Sequence, residues 1–349
     1  MTTLLSAHYQ PSPLWATAPS SLKPPVRYRP AVKDVPPLPG YEILGVLGRG
    51  GMATVHKAQQ LCPGRLVAVK VIDRSLADDG EIVARFRQEQ ALGAQLRHPN
   101  LVAVYEAGHA AGRPYLVMEF IDGDDLHAFV GQYGPLPVGE ACEVVRQAAL
   151  GLQHLHEHGL VHRDVKPSNL MLTPAGEVKV LDLGLTRHLY GPGAGERITA
   201  QGQCLGTLDY MAPEQCVDSH AVDIRADIYG LGCTLYELLA GQPLFAGPGY
   251  ESAFQKMQAH VEAPVPRIRE RRPDVPERLA DALGRMLAKD REGRFASPAD
   301  VVRAVQPFAA GTKLAALAQA PRRASGRNEV LPATQLVLHG GESPPVSGL

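Results

Sequence analysis

His162-Arg163-Asp164-Val165-Lys166-Pro167-Ser168-Asn169 packs a histidine, two strong bases, a carboxylate and an amide into eight residues. It follows a helix-like run at Val138–Glu157 and lies downstream of a change in the chain's pattern. From Tyr41 to about Tyr115 the apolar residues form strand-like runs at Tyr41–Leu47, Thr54–Ala58 and Leu66–Ile72. A helical segment at Gly80–Gln95 follows, then strand candidates at Val102–Ala107 and Tyr115–Phe120. From Asp125 onward helices dominate, at Leu126–Gln132, Val138–Glu157, Ile224–Ala240, Tyr250–His260 and Pro276–Leu287. A small sheet-rich lobe feeding a larger helical lobe is an α+β, two-lobed plan.

Working back from the octet, Gly48-Arg49-Gly50-Gly51-Met52-Ala53-Thr54-Val55 sits between two strand-like runs. Glycine tolerates φ > 0 and has no Cβ, so backbone N–H groups can approach phosphate oxygens. A glycine-rich hairpin turn would read the same way. No Walker A ending follows, and the next element is a strand, so the loop is not a dinucleotide fingerprint. Val67-Ala68-Val69-Lys70 then ends an apolar strand with a cation, suited either to solvent or to α- and β-phosphates. Glu89, in Phe86-Arg87-Gln88-Glu89 on the helical segment, is its candidate carboxylate partner.

Glycine loop, strand lysine and octet in this order resemble the protein kinase family. The resemblance implies a two-lobed fold over 41–308, with a small lobe at 41–118 and a large lobe at 122–308. It implies transfer of the γ-phosphate of ATP to protein hydroxyls, assisted by Mg²⁺ or Mn²⁺. Phosphoryl transfer runs through a loose transition state, so positioning and charge neutralisation dominate. Asp164 would orient the incoming hydroxyl and accept its proton, and Lys166 would neutralise the transferring group. Asn169 and Asp182, the latter in Asp182-Leu183-Gly184, would supply hard oxygen ligands for Mg²⁺. Lys166 is the family's Ser/Thr signature. The sequence departs from the family pattern twice: Ala53 replaces the third glycine, and Leu183 replaces the phenylalanine after the metal aspartate.

Further positions follow from the same resemblance. Met118 takes the gatekeeper position, and the backbone of Glu119 and Ile121 faces adenine. Leu47, Val55 and Ala68 cover the ring. Residues 185–211 form the activation loop, ending at Ala212-Pro213-Glu214. Gly206-Thr207-Leu208-Asp209-Tyr210 makes the substrate floor, with Thr207 bridging Asp164 and Lys166. Glu214 pairs with Arg294, Asp227 anchors the catalytic loop, and Arg163 receives an activation-loop phosphate. Thr199 is the leading acceptor, ahead of Thr186 and Thr207.

Composition narrows the alternatives. The 349 residues carry 35 Lys+Arg against 36 Asp+Glu, a formal net charge of -1 that gives no basic field for nucleic acid. The one basic cluster is Arg267–Arg272. Five cysteines without CxxC spacing read as reduced thiols of a soluble, cytoplasmic protein. No run approaches a membrane span, and Ile228–Leu239, which carries Glu237, reads as a buried core helix. Residues 1–40 are proline-rich and 309–349 are Ala-, Pro-, Gly- and Ser-rich, so both read as loose tails, with a helical turn or two at Ala315–Ala320. His154 and His158 share a helix face at zinc-ligand spacing, but no further ligands complete a site. A pseudokinase scaffold would lack one of Lys70, Asp164, Asn169 or Asp182, and all are present. A small-molecule phosphotransferase of similar fold usually lacks the 206–214 floor. Protein substrates and a homodimer for phosphorylation in trans complete the expectations.

Overall fold

The two faces of β3 (Arg65–Ile72) set the plan of the small lobe. Successive side chains of a strand point to opposite faces. Val67, Val69 and Val71 pack with Leu38, Ala58, Tyr115 and Val117 on one side. Ala68 and Ile72 pack with Phe86, Val102, Val104, Leu116 and Met118 on the other. Both faces of this strand are therefore covered, and it sits centrally in an antiparallel sheet. With β1 (Tyr41–Arg49), β2 (Ala53–Gln60), β4 (Val104–Ala110) and β5 (Arg113–Glu119), the strand order is β1-β2-β3-β5-β4. The molecule is a computed structural model that describes residues 35–51, 53–77, 79–80, 83–84, 86, 93, 96–182, 208–217 and 222–319.

Three short strands, β6 (Asp124–Asp125), β7 (Leu170–Leu172) and β8 (Val178–Val180), form a second sheet at the top of the large lobe. Helices α1 (Leu126–Tyr133), α2 (Val138–Glu157), α3 (Pro213–Val217), α4 (Ile224–Ala240), α5 (Ala253–Glu262), α6 (Ile268–Arg271), α7 (Glu277–Met286), α8 (Pro298–Ala309) and α9 (Leu314–Ala318) complete it. The structure is two-lobed, as the sequence pattern predicts.

The helix α4 is mostly apolar and is buried along nearly its whole length, as such a helix must be. Each of its fully buried leucines is worth roughly 1.5–3 kcal/mol. Asp223 caps its start by accepting from Arg225 N at 2.9 Å. Gly241 ends it at φ 76°, a left-handed turn open to glycine. Gly230 has a different purpose: a Cβ there would lie 2.9 Å from Val165 O, so only glycine lets the 162–169 loop lie this close.

Among the described residues, packing continues past 41–308 at both ends. Leu38 is buried in the small-lobe core. Beyond α8 the chain crosses α2 and reaches the β7–β8 turn, where Gln319 Nε2 donates to Pro174 O at 3.0 Å and Leu314 is buried. The helical turn expected at Ala315–Ala320 is α9. Arg272, from the basic cluster, is committed to the fold: it donates to the carbonyls of Leu136 and Leu239 and pairs with Asp274.

Candidate active site

The 162–169 loop is held from below by one carboxylate. Asp227 of α4 accepts from His162 N at 2.7 Å and Arg163 N at 2.6 Å, one donor for each oxygen. Charge-assisted bonds of this kind are about twice as strong as neutral ones. Burial pushes the Asp227 carboxyl above its ordinary value, while these donors and the neighbouring His162 and Arg163 pull it down. Arg163 has φ 64° and Asp182 φ 43°. Positive φ in a non-glycine residue costs of order 1–3 kcal/mol, and here it marks both ends of the site.

A closed ring of hydrogen bonds joins the loop to the residue before Asp182. Asp164 N donates to His162 Nδ1 at 3.2 Å. His162 Nε2 lies 2.8 Å from Leu181 O, which can only accept, so this nitrogen carries the proton. Leu181 N donates to Asn169 O at 2.8 Å, and Asn169 Nδ2 donates to Asp164 O at 2.8 Å. The ring spends the Asn169 amide nitrogen and leaves its oxygen for a ligand. Lys166 Nζ pairs with Asp164 Oδ2 at 3.0 Å. Lys70 Nζ pairs with Asp182 Oδ1 at 2.7 Å and holds that carboxyl below its usual range.

Pairing of β2 with β3 sets Val55 opposite Lys70. Val55, Ala68, Met118 and Leu181 share one apolar cluster, so the predicted adenine contacts converge with the strand lysine on one face of the sheet. Ile121, just beyond β5, is also buried. Gly48 and Arg49 pair with Val55 and Thr54, and Gly50 N donates to Ala53 O at 2.9 Å. Ala53 is buried, so the extra methyl is accommodated in the hairpin. Leu47 and Gly51 are exposed beside it. Met52, Glu89, Leu183, Thr186, Thr199 and Thr207 lie outside the described residues.

Glu214 and Arg294, 80 residues apart, form a bidentate pair at 2.7 and 2.8 Å. The guanidinium also donates to the carbonyls of Ala288, Arg225 and Lys289, so all five N–H groups are used. It lies 4.9 Å from the Tyr229 ring centroid. Several contacts at this site were not foreseen. Lys256 of α5 grips both oxygens of Asp209 at 2.6 and 2.7 Å. Tyr210 donates to Glu237 of α4, and Gln215 ties Arg163 O to Ala212 N. Glu237, a charge inside an apolar helix, was the visible sign of one of them.

His127 Nδ1 lies 3.2 Å from the other Glu237 oxygen, which raises its pKa above the ordinary histidine value. A raised folded-state pKa gives stability that is complete below about 6.5 and lost as pH rises through the folded value. NMR titration of the His127 ring should give a midpoint above about 6.5, returning toward it in Glu237→Gln. A wild-type midpoint at or below that value would refute the pairing.

His154 and His158 rings lie 4.5 Å apart, yet no group of three or more metal-ligating residues occurs among the described residues. No described helix is long and apolar enough to cross a membrane.

Residues 41–305 match the protein kinase domain family. Serine/threonine-protein kinase PknB of Mycolicibacterium smegmatis is 41% identical over 266 residues, 75% of this chain and 41% of that protein. Serine/threonine-protein kinase PrkC of Bacillus subtilis is 35% identical over 261 residues, 75% of this chain and 39% of that protein. The chain thus spans about two fifths of the length of these curated relatives. The crystal structure of the Mycobacterium tuberculosis PknI kinase domain superposes with a TM-score of 0.61 at 28% identity, covering 80% of this chain and 100% of that one. With two lobes, the hydrogen-bonded loop and a family match across most of its length, this chain belongs to the protein kinase family.

Proposed function

We propose that this chain is a serine/threonine protein kinase that transfers the γ-phosphate of ATP to Ser and Thr hydroxyls of proteins. The observation that carries the reading is the hydrogen-bonded ring through Asp164, His162, Leu181 and Asn169. It ties the loop bearing Asp164, Lys166 and Asn169 to the strand end bearing Asp182. Phosphoryl transfer asks the protein for position and charge, and a rigid tie between these groups supplies position.

On this reading Asp164 orients the acceptor hydroxyl and takes its proton, while Lys166 neutralises charge on the moving phosphoryl group. Lys70 bears on the α- and β-phosphates, with Glu89 as its second partner. The Asp182 carboxylate and the Asn169 amide oxygen are hard donors that fit Mg²⁺, with Mn²⁺ as a substitute. When bound, the cation supplies further neutralisation of the phosphate charge. Adenine lies against Met118, Ala68 and Val55 and bonds the backbone of Glu119 and Ile121. The hairpin from Leu47 through Gly48, Arg49, Gly50, Gly51, Met52 and Ala53 covers the phosphates.

The floor for a polypeptide acceptor draws support from the bonds that hold Asp209 and Tyr210. Thr207 bridges Asp164 and Lys166 in this scheme. Phosphorylation at Thr199, in trans within a transient homodimer, would neutralise Arg163 and order the loop. The cytoplasm supplies the ATP and keeps thiols reduced, consistent with free Cys62, Cys142, Cys216 and Cys233.

Incubation with Mg²⁺ and γ-labelled ATP should place label on Ser and Thr of the chain or of a generic acceptor, and EDTA should abolish it. Label on tyrosine alone, or none on any polypeptide, would defeat the proposal.

A further inference from the structure

Lys179 is a cation in the middle of β8, in the run Val178-Lys179-Val180, and it is buried. A buried ammonium is costly unless paired. Its Nζ lies 3.1 and 3.3 Å from the two carboxylate oxygens of Glu119, 60 residues earlier. The two side chains are 11% and 25% exposed, so solvent screens the pair only partly.

Glu119 is the last residue of β5, at the connection between the lobes. Its N–H donates to Ala103 O at 2.8 Å, and its carboxylate accepts from Ala103 N at 3.2 Å. The residue therefore clasps Ala103 from both sides while Lys179 holds the carboxylate. One residue earlier, Val102 N donates to Val180 O at 3.0 Å, and Val180 N donates to Asn100 O at 2.9 Å. The segment 100–103 is thus stitched to β8 on one edge and to Glu119 at its end. Three residues beyond Lys179 comes Asp182.

We propose that Lys179 is a positioning residue of the nucleotide site, whose ammonium locks Glu119 so that the adenine-facing backbone keeps register with the strand that delivers Asp182. This rests on the reading of 118–121 as the adenine-binding segment. Lys179 touches no substrate in this scheme; it acts through Glu119. A loosened clasp lets the connection drift relative to Asp182, so a nucleotide held at both ends loses affinity. Once the nucleotide is bound, its own contacts restore the register, and turnover at saturation changes little.

Steady-state kinetics with a generic protein acceptor, together with titration of a non-hydrolysable ATP analogue and Mg²⁺, would test this in the full chain. Lys179→Met should raise KM for ATP and Kd for the analogue by about three- to tenfold, with kcat within twofold, and Glu119→Gln should raise KM and Kd over the same range. The double variant should be no worse than the worse single one, because the two act through one contact. Lys179→Arg should keep most of the wild-type affinity. Thermal melts identify any variant that fails to fold, and Lys179→Arg with Glu119→Gln then carries the comparison. Unchanged KM and Kd in the single variants, or multiplying effects in the double one, would overturn the positioning role while wild-type binding leaves the adenine assignment intact. A wild type that binds no nucleotide would remove both.

Discussion

Asp164→Asn should lower kcat for phosphate transfer by about 10²–10⁴-fold, the contribution typical of a positioned proton acceptor. The substitution is close to isosteric. An amide oxygen can still accept from Lys166, and the backbone oxygen of residue 164 can still accept from Asn169 Nδ2. The hydrogen-bonded ring uses only the backbone of this residue, so the fold and the KM for ATP should survive within a few-fold. What disappears is the negative charge that draws the acceptor proton and balances Lys166. A kcat within tenfold of wild type, with the melting temperature unchanged, would mean that Asp164 is not the proton acceptor.

Arg294→Met should cost about 3–5 kcal/mol of stability, the range for breaking a buried pair from one side. The side chain is fully buried and all five of its donors are used. Methionine fills comparable length but strands the Glu214 carboxylate and three backbone carbonyls, each of which loses a partner it cannot replace with water. Arg294→Lys should recover only part of the loss, because a point charge cannot reproduce a planar fork. Urea unfolding would measure this through the midpoint at constant slope. A loss below about 1 kcal/mol in Arg294→Met would show that the pair is dispensable. Glu214 lies on α3, next to the segment proposed as the acceptor floor, so activity should fall with stability.

The catalytic octet and the five strands of the small lobe were legible because each carries its signal locally. Residues 162–169 form a dense run of chemistry, and β1 to β5 coincide with short apolar or β-branched runs, β3 and β5 being buried along most of their length. The large helices were equally plain, α2 and α4 being long and strongly patterned. The short strands β6, β7 and β8 were invisible, since two or three residues cannot display a period. Helix α8 was passed over because Pro298 and Pro307 both fall within it. Its Ser297 and Asp300 form a reciprocal capping box, a start signal that was there to be read. Within the site, the contacts that escaped notice pair residues far apart in sequence. Lys179 with Glu119, Lys256 with Asp209 and Tyr210 with Glu237 are separated by 60, 47 and 27 residues. Each residue alone reads as a solvated charge or a core aromatic, and only the fold supplies its partner. Glu214 and Arg294 were found across 80 residues because the family resemblance supplied the pairing.

The reach of Asp227 into the 162–169 loop has a consequence in time. Loops ordinarily open and close many times during the life of a folded domain, because little of their backbone is tied down. Here two successive amides are bonded to a carboxylate on the deeply buried α4, which lies so close to the loop that a Cβ at Gly230 would meet Val165 O at 2.9 Å. The reactive loop is thereby tied to the core at its start, and amide exchange at His162 and Arg163 should be slower than at loop positions that lack such a bond.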